Sequence, residues 1–416
     1  KDLAMTIKEA FYIATTGRPG PVLVDIPKDV SMDTAEFTYP SSVSIRSYNP
    51  VYEGNKWQIK QAAEAMTKAK KPVLYVGGGV IFSGASQELM ELAELTHMPV
   101  DMTLMGLGAF PGEHPQSMGM LGMHGTYWAN MVMHYSDLVV AIGARFDDRV
   151  TGKVSEFCPH AKVIHIDIDP TSIRKNVNVD IPIVGDCKTV LRELIQILRA
   201  TVNGDQKELR KAWWNQIREW QQANPLAYQQ EADGPIKPQH VIRRLYELTK
   251  DRDPIVSTDV GQHQMWAAQY FKLAKPNRWL TSGGLGTMGF GFPAAMGAQA
   301  AFPGRLVLCI AGDGSIQMNM QEMATAVVHK LPVKIIVINN RFHGMVRQWQ
   351  DLFYEGRYAS SYLETTPDFV KLAEAYGAIG LRASKPSEID AVIKEAIAVN
   401  KPVIVDVPTY PYENVY

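Results

Sequence analysis

Short apolar runs alternate with amphipathic segments along most of the chain. Residues 56–70 have the spacing of a helix with one apolar face. Apolar runs rich in β-branched residues then predict buried strands at 72–76, 99–103, 138–143, 163–169 and 181–184, with helices between several of them. Because strands that alternate with helices build parallel sheets, the pattern predicts an α/β fold with a doubly wound parallel sheet.

A second series of the same kind follows a polar stretch. It predicts strands at 254–259, 306–310, 333–338 and 402–408, with helices at 236–248, 292–301 and 316–329 and a turn at 261–263. The intervening segment, 201–235, is polar and partly helical in pattern, with Trp213, Trp214 and Trp220 as apolar anchors. We interpret this segment as a connector between two α/β domains.

The ending of the chain resembles its beginning. Ile7-Lys8-Glu9-Ala10 leads to Pro21-Val22-Leu23-Val24-Asp25-Ile26-Pro27, and Ile393-Lys394-Glu395-Ala396 leads to Pro402-Val403-Ile404-Val405-Asp406-Val407-Pro408. We therefore expect residues 1–30 to be the last helix and strand of a domain related to the C-terminal one, with chance similarity as the alternative. The expected division is 1–30, a linker at 31–55, a central domain at 56–200, the connector at 201–235 and a C-terminal domain at 236–416.

Composition restricts the class of protein but does not indicate a function. At about 150 residues per domain, 416 residues suggest two to three domains, and 46% hydrophobic residues can fill their cores. The net charge of −1 favours neither nucleic acid nor an anionic membrane, and no apolar run approaches the roughly 18 residues of a membrane span. Cys158, Cys187 and Cys309 match no metal or disulfide spacing, which favours buried thiols in a reducing compartment.

Polar residues follow two of the predicted strands in the C-terminal series. Gly312-Asp313-Gly314 comes after one strand, and Asn339-Asn340 comes after the next, with 24 residues between the two motifs. Parallel strands would bring Asp313 and Asn340 to the same sheet edge, where α/β proteins bind ligands. One carboxylate and one amide oxygen suit Mg²⁺, and Ser315 at a helix start suits an anion. The spacing predicts a site for a metal-bound diphosphate.

Two other interpretations of these residues stay open. Each motif alone is more often a turn or a strand end than a site. Gly284-Leu285-Gly286-Thr287-Met288-Gly289 also satisfies the dinucleotide fingerprint, with Asp313 at the distance of a ribose-binding acid, so a nicotinamide-dependent dehydrogenase is an alternative. That alternative leaves Asn339-Asn340 unexplained.

The motif pair resembles that of thiamine diphosphate (ThDP) enzymes, and Asn339-Asn340-Arg341-Phe342-His343-Gly344-Met345-Val346-Arg347-Gln348-Trp349-Gln350 resembles the acetohydroxyacid synthase (acetolactate synthase) catalytic subunit. The resemblance extends in order over nearly the whole chain. It implies a pyrimidine-binding domain, of which residues 1–30 are the last part, a central Rossmann-like FAD domain and a C-terminal diphosphate-binding domain. Its cofactors would be ThDP, Mg²⁺ and FAD.

The resemblance also assigns residues. Asp313, Asn340 and the main-chain oxygen of Phe342 would bind Mg²⁺. The ThDP side would comprise Val260, Gly261, Gln262, His263, Gly286, Gly312, Gly314 and Ser315, with Met288 as the apolar wedge under the thiazolium. The FAD side would comprise Gly77, Gly78, Gly79, Met123, His124, Arg145, Asp147, Asp167 and Asp186. The acceptor substrate would meet Arg149 and Trp349, with Met123 and Met345 beside them; without the resemblance, Arg149 is equally well a surface ion pair and Trp349 a core residue.

The implied reaction decarboxylates pyruvate and joins the remaining two carbons to pyruvate or 2-ketobutyrate, giving acetolactate or acetohydroxybutyrate for branched-chain amino-acid biosynthesis. Pyruvate oxidase, glyoxylate carboligase and a non-catalytic cofactor-binding module are the alternatives. The family's activating glutamate matches no residue here, so we expect these residues alone to be poorly active. The implied assembly is a homodimer or larger with the site between chains and a regulatory small subunit. The implied location is the cytoplasm, with organellar import left open.

Overall fold

The computed structural model describes residues 2–202 and 204–415. Two six-stranded sheets, in which every strand pair is parallel, dominate the described residues. One sheet belongs to the central domain and the other to the C-terminal domain, so the doubly wound α/β fold predicted from the sequence is confirmed.

The central domain alternates strands and helices. Its elements are α3 (Lys56–Lys68), β1 (Pro72–Val76), α4 (Gly78–Phe82), α5 (Ser86–Thr96), β2 (Val100–Met102), β3 (Ser117–Met120), α6 (Tyr127–Tyr135), β4 (Leu138–Ile142), α7 (Asp148–Thr151), β5 (Lys162–Asp167), β6 (Ile181–Val184) and α8 (Cys187–Thr201), after α1 (Leu3–Thr15) and α2 (Lys28–Met32). The strand order is β3-β2-β1-β4-β5-β6. The order reverses between β1 and β4, and dinucleotide-binding sheets place their ligand at such a point.

The central sheet is covered on both faces, which explains why its strands are apolar without alternation. All five residues of β1 and all five of β4 are buried. Val76 and Val140 contribute to the core on one face of the sheet, whereas Tyr75 and Val139 contribute to the core on the other. The amphipathic α8 buries Val190, Leu194 and other apolar residues against the first of these cores.

The C-terminal domain repeats this construction with a different order. Its elements are α11 (Pro238–Thr249), β7 (Ile255–Thr258), α12 (Gln262–Tyr270), β8 (Trp279–Leu280), α13 (Gly291–Ala301), β9 (Val307–Gly312), α14 (Asp313–Ile316), α15 (Met323–Val328), β10 (Lys334–Asn339), α16 (Gly344–Phe353), α17 (Phe369–Ala375), β11 (Ile379–Arg382), α18 (Ile389–Ala398) and β12 (Val403–Pro408). The strand order is β11-β12-β10-β9-β7-β8. The chain changes direction between β7 and β9, so the ends of these two strands form this sheet's ligand-binding crevice.

Several predicted elements differ from the structure. The predicted helix at 316–329 is interrupted: α14 ends at Ile316, and a 3-10 turn (Met320–Glu322) precedes α15. The Asn319 side chain donates to the Gly289 carbonyl over 2.7 Å, and this tertiary bond competes with helix continuation. Residues 262–263, predicted as a turn, form the start of α12. The strands β3, β8 and β11 were not assigned from the sequence, because β8 has only two residues, β3 and β11 contain glycine, and all three lie at a sheet edge.

The strand predicted at residues 21–27 is wrong. The helix before it is present as α1, but residues 18–27 have no regular structure, and Leu23 is 88% exposed. An apolar segment becomes a strand only beside a partner edge, and no described strand pairs with this one. The Gly17 N–H instead donates to the hydroxyl of Tyr52 in the linker over 2.9 Å.

The connector between the domains contains α9 (Gln206–Leu209) and α10 (Lys211–Ala223), and it packs on the central domain. The buried indoles of Trp213 and Trp214 donate to the carbonyls of Pro72 and His97. Trp220 stacks on Tyr135 with ring centroids 5.6 Å apart. These contacts satisfy the polar atoms of the tryptophans while burying their apolar area.

The two domains also contact each other directly. The Gly112 N–H donates to the Leu273 carbonyl over 2.8 Å, and the Tyr246 hydroxyl donates to the Glu113 carboxylate over 2.6 Å. One continuous apolar core includes Phe110 of the central domain and Phe271 of the C-terminal domain. The ligand-binding edges of the two sheets are therefore held in a defined relation. Among the described helices, none has the length and apolarity required to cross a membrane.

Candidate active site between the two sheets

Two adjoining cavities occupy the ligand-binding edges of the sheets. The smaller, of about 170 Å³, lies wholly in the C-terminal domain. The larger, of about 1600 Å³, lies between the central and C-terminal domains. Val260, Gly261, Gly286, Met345 and Val346 line both cavities. Every candidate site residue named from the sequence lines one cavity or both.

Asp313 and Asn340 lie side by side in the smaller cavity because β9 and β10 are paired neighbours that end at Gly312 and Asn339. The Asp313 carboxylate accepts the N–H groups of Gly314 (3.0 Å) and Arg341 (2.6 Å). Burial raises the pKa of Asp313 to about 7. A cation bound beside this carboxyl would favour its ionised form and so offset the cost of burial.

The donors at this point are oxygens. Asn340 directs its amide nitrogen to Gln262 over 3.2 Å, while its Oδ1 accepts the Phe342 N–H over 3.1 Å and keeps a second lone pair. Phe342 lines the same cavity. Within the described residues, no three His, Cys, Asp or Glu side chains cluster as metal ligands. One carboxylate with amide and main-chain oxygens fits Mg²⁺, which takes its remaining ligands from water and phosphate.

His263 provides a polar atom that lacks a partner. It is only 6% exposed, and its Nε2 makes no hydrogen bond to any described residue. Gly261 and Gly312 make room for the ring, since a Cβ at either position would come within 2.8 Å of it. Burial lowers the pKa of His263, so the free ring is neutral. A phosphate bound beside the start of α12 would favour the protonated ring, in which Nε2 carries a proton and can donate to a phosphate oxygen.

Gln262 was predicted to hold the diphosphate, but its side chain is engaged elsewhere. Its amide bonds to Asn340, Gln348 and the Glu413 carbonyl. Ser315 similarly uses its hydroxyl within the turn, where it bonds to Gly312. For both residues, the group that remains for a diphosphate is the main-chain N–H.

Asp259 is a buried site residue that the sequence prediction missed. It follows β7, and its carboxylate accepts the N–H groups of Val260 (2.8 Å), Gly289 (2.8 Å) and Gly291 (3.2 Å). These bonds hold the loop that carries Gly286 and Met288 against the smaller cavity. A carboxylate directly after a strand was the available signal, because the same pattern identified Asp313.

The loop at Gly284–Gly289 does not have the setting of a dinucleotide fingerprint. It follows β8, a two-residue strand at the sheet edge, whereas the fingerprint follows a strand at the reversal point. Asp313, the proposed ribose partner, lies beside Asn340 instead. The structure therefore gives no support to the dehydrogenase alternative.

Glycines at the reversal point of the central sheet form part of the larger cavity. Gly77 and Gly79 follow β1 and meet Gly143 after β4, so that a Cβ on Gly77 would come within 2.1 Å of the Gly143 carbonyl oxygen. Gly143 has a φ of +59°, which glycine adopts without strain. Gly78 lines the cavity beside them. Because these positions have no side chains, the main chain at both strand ends lines the cavity.

Acidic and basic residues also line this cavity. Arg145 pairs with Asp147 at 3.1 Å. Asp167 ends β5, and burial raises its pKa, while Asp186 caps α8 by accepting the Thr189 N–H over 3.2 Å. The cavity exceeds the range of about 300–1,000 Å³ that is usual for drug-sized ligands. The volume and the glycine-lined strand ends give this cavity room for an extended ligand together with a smaller one.

The side chains proposed to meet the acceptor substrate gather where the cavities join. Arg149 lies over the indole of Trp349, and Met123 and Met345 line the same region. Trp349 is 36% exposed and is therefore not the core residue of the alternative interpretation. Arg149 also approaches the Asp148 carboxylate at 3.8 Å, so the ion-pair interpretation describes one of its two contacts. The nearby His124 has a pKa lowered to about 4 by burial and by Arg149.

Some residues that line the cavities were given no role from the sequence. Arg18 lines the larger cavity and pairs with Asp169 at 3.2 Å, although it precedes Asp169 by 151 positions. Leu285 and Arg357 line the larger cavity, and His343 lines the smaller one. Arg18 reaches the larger cavity only because distant parts of the chain pack together.

The chain is similar to known proteins in both of its α/β domains. The family model of the thiamine pyrophosphate enzyme C-terminal TPP binding domain matches residues 259–407, and that of the thiamine pyrophosphate enzyme central domain matches residues 59–194. The chain is 50% identical over 421 residues to the acetolactate synthase isozyme 3 large subunit of Escherichia coli (strain K12), covering 100% of this chain and 73% of that protein.

Two further relatives show similar agreement. The acetolactate synthase large subunit of Haemophilus influenzae is 50% identical over 419 residues, which cover 100% of this chain and 73% of that protein. The acetolactate synthase of Mycobacterium bovis is 50% identical over 410 residues, which cover 97% of this chain and 66% of that protein. The similarity thus includes both domains and the site between them.

Proposed function

The chain belongs to the family of acetolactate synthase large subunits, and on that premise we propose that it condenses two 2-keto acids. Pyruvate loses CO₂, and its remaining two carbons are joined to the keto carbon of a second 2-keto acid. With pyruvate as acceptor the product is acetolactate, and with 2-ketobutyrate it is acetohydroxybutyrate. The reaction serves branched-chain amino-acid biosynthesis.

The observation that carries this proposal is the pair Asp313 and Asn340 at neighbouring strand ends, beside the unpartnered Nε2 of His263. Asp313, Asn340 and the Phe342 carbonyl would hold Mg²⁺ against a diphosphate. The N–H groups of Gly314, Ser315 and the first turn of α12 would bind the phosphate oxygens. ThDP, when bound, supplies the nucleophilic carbon and the electron sink that decarboxylation requires.

Residues of the C-terminal domain would orient the reactive end of the cofactor. Met288 lies on the loop that Asp259 holds through Gly289, and it lines the smaller cavity next to Gly286. A thioether at this position provides an apolar support that adapts to a ring without offering a proton. Asp259 would therefore act as a positioning residue for the loop.

The acceptor would bind between the domains. The Arg149 guanidinium offers a planar pair of donors for the acceptor's carboxylate. Trp349 offers an apolar wall to its alkyl group, with Met123 and Met345 beside it. Such a wall distinguishes ethyl from methyl by about 1–3 kcal/mol. This arrangement supports selection of 2-ketobutyrate as well as pyruvate.

The central domain would hold FAD in the larger cavity. Gly77, Gly78 and Gly79 would approach its diphosphate, and Asp167 and Asp186 would lie at its adenosine end. Arg145, Asp147, Met123 and His124 would line the rest of its path. The volume of about 1600 Å³ and the Gly77–Gly143 contact support this assignment.

The proposed assembly contains more than this chain. The relatives are called large subunits, which supports a second, smaller regulatory subunit. The proposed assembly is a homodimer or larger, in which the pyrimidine-binding domain of a neighbouring subunit would complete each site. The three cysteines are buried and unpaired, as expected in the cytoplasm.

A product assay tests this function. The polypeptide as its gene encodes it would be incubated with ThDP, Mg²⁺, FAD and pyruvate, with and without 2-ketobutyrate. We expect acetolactate in the first reaction and mainly acetohydroxybutyrate in the second, with both lost in the Asp313→Ala variant. Peroxide formed from oxygen, or tartronate semialdehyde formed from glyoxylate, in place of these products would assign the chain to a different ThDP reaction and overturn the proposal.

A further inference from the structure

Three buried side-chain amides form a hydrogen-bonded chain that begins at the main chain of Val415 and ends with the proposed metal ligand Asn340. Gln348, Gln262 and Asn340 are 2%, 2% and 6% exposed, respectively. The Asn340 amide donates to Gln262, and the Gln262 amide donates to Gln348. The Gln348 amide bonds to the main chain of Val415. We call these three residues the amide relay.

The main chain of Val415 determines the orientation of the first amide of the relay, that of Gln348. The Val415 N–H donates to Gln348 Oε1 over 2.9 Å, and Gln348 Nε2 donates to the Val415 carbonyl over 2.8 Å. A backbone N–H can only donate and a carbonyl can only accept. The main chain of Val415 therefore determines the orientation of the Gln348 amide, because the reversed amide would place donor against donor and acceptor against acceptor.

The orientation of the Gln348 amide determines that of the Gln262 amide. Its Nε2 donates to Gln348 Oε1 over 2.9 Å and to the Glu413 carbonyl over 3.1 Å. Its Oε1 is then left to accept from Asn340 Nδ2 over 3.2 Å. Gly344 permits this approach, because a Cβ there would lie 2.0 Å from Gln262 Oε1. Reversing the Gln262 amide would bring two donors together at one end and two acceptors at the other.

Asn340 consequently presents its oxygen to the cavity. Its nitrogen is occupied by Gln262, and its Oδ1 accepts the Phe342 N–H over 3.1 Å with a lone pair remaining. An amide nitrogen cannot bind Mg²⁺, so the orientation of this amide decides whether Asn340 is a ligand.

Arg347 holds the main-chain end of the relay in place. This residue is 1% exposed, and one of its terminal nitrogens donates to the Glu413 carbonyl over 2.9 Å and to Asn414 Oδ1 over 2.5 Å. Its other terminal nitrogen bonds to Asp351 over 2.7 Å, and its guanidinium lies over the rings of Phe342 and Tyr412. Residues 412–415 are thus fixed to the same helix, α16, that carries Gln348.

We propose that Gln262 and Gln348 are positioning residues for the metal site, which orient the Asn340 amide so that its oxygen faces the cation. The inference rests on the proposed function, because it takes Asn340 as a Mg²⁺ ligand. It also gives the segment at 413–415 a part in cofactor binding without contact with the cofactor.

Metal affinity provides the test. The dissociation constant of Mg²⁺ at saturating ThDP would be measured by calorimetry for the wild type, Gln262→Met and Gln348→Met. Methionine keeps the length of the side chain and removes its hydrogen bonds. We expect binding about tenfold weaker in both variants, as is usual when a residue that orients a metal ligand is lost.

A matched control separates positioning from general loosening. Gln299 is 1% exposed in the same domain, and its amide donates to the carbonyls of Phe302, Pro303 and Arg305. Gln299→Met should lower the melting temperature of the metal-free protein as much as Gln262→Met does, while Mg²⁺ affinity stays at the wild-type value. Equal weakening of Mg²⁺ binding in the control would overturn the relay.

A second background tests orientation itself. In protein carrying Asn340→Asp, both terminal atoms are oxygens, so no orientation remains to be set. Adding Gln262→Met should then change the Mg²⁺ dissociation constant by less than about twofold, so the two substitutions are non-additive, as expected for residues in one hydrogen-bond network. A tenfold loss in this background would contradict the relay.

The outcomes distinguish the two proposals. If the wild-type protein binds no ThDP with Mg²⁺, the proposed function fails and the relay fails with it. If the wild type binds both and Gln262→Met binds Mg²⁺ equally well, the proposed function stands and the relay alone is wrong.

Discussion

The guanidinium of Arg149 lies over the indole ring of Trp349, with its Cζ atom 5.4 Å from the ring centroid. Arg149 belongs to α7 of the central domain and Trp349 to α16 of the C-terminal domain. A charged group and an apolar wall that face one cavity from two domains can select a 2-keto acid by both of its ends. Each half of this arrangement leads to its own prediction.

Trp349→Leu should reduce the preference for 2-ketobutyrate over pyruvate as acceptor by about tenfold, because a smaller apolar side chain loses contact with the ethyl group. Acetolactate formation from pyruvate alone should remain. The product ratio in a competition between the two acceptors measures the effect. Trp57→Leu, which changes an indole that is 67% exposed at the start of α3, is the control and should leave the ratio unchanged. An unaltered ratio in Trp349→Leu would remove Trp349 from the acceptor site.

Arg149→Lys should raise the KM for the acceptor by about tenfold, because an ammonium keeps the charge but cannot donate two parallel hydrogen bonds to a carboxylate. Steady-state kinetics with the acceptor varied at saturating ThDP gives this value. Arg192→Lys is the matched control, because Arg192 pairs with Glu88 and neither residue lines either cavity. A KM equal to that of the wild type in Arg149→Lys would indicate that Arg149 has only its ion pair with Asp148.

The polar residues that follow strands could be found from the sequence because their chemistry is local. Asp313 and Asn340 each come directly after an apolar run, and parallel pairing of those runs sufficed to bring them together. Arg18 could not be found in this way, since its place at the cavity depends on how distant parts of the chain pack together. The resemblance assigned Gln262 to the diphosphate, and the sequence cannot show that Asn340 and Gln348 occupy its side-chain amide.

Strand formation shows the same limit. The runs at 72–76 and 21–27 are similarly apolar, yet the first is a buried central strand and the second has no strand partner. Pattern gives the tendency of a segment, whereas the neighbouring edge decides the outcome. The interrupted helix at 316–329 has a comparable cause, because the bond from Asn319 to Gly289 comes from a distant loop.

Asp259→Ala should weaken ThDP binding by about tenfold or more, because the hydrogen bonds from Gly289 and Gly291 to a carboxylate contribute about 1.5–3 kcal/mol each. Without them the loop carrying Met288 is free to move away from the cavity. Calorimetric titration with ThDP at saturating Mg²⁺ measures the change. Asp253→Ala is the control at the opposite end of β7, where the carboxylate bonds to Arg278 and Arg305. The control should lose stability and keep its ThDP affinity; equal affinity in Asp259→Ala would contradict the positioning role.

Asp101→Asn should stabilise the protein at neutral pH and have little effect in acid. Asp101 is fully buried in β2 beside Tyr75, and within the described residues neither of its carboxylate oxygens has a hydrogen-bond partner. Burial raises the pKa of the Asp101 carboxyl well above its usual range. The folded protein therefore binds this proton more tightly than the unfolded chain does. Stability from the protonated form is present below the unfolded pKa of about 4 and is lost as pH rises towards the folded pKa, by at most about 1.4 kcal/mol per pH unit.

Asparagine at this position stays neutral, so the difference in melting temperature between Asp101→Asn and the wild type should increase as the pH rises above about 4, which is the direction expected for a carboxyl with a raised pKa. Calorimetric melting at a series of pH values measures this difference. Asp29→Asn, which changes an exposed carboxylate in α2, should show no such trend. A constant difference between Asp101→Asn and the wild type over this range would mean that Asp101 keeps the same protonation state in the folded and unfolded chain. The free-energy cost of burying the ionised Asp101 carboxylate would then have to be offset by a partner such as the hydroxyl of Tyr75, which belongs to the core on that face of the sheet.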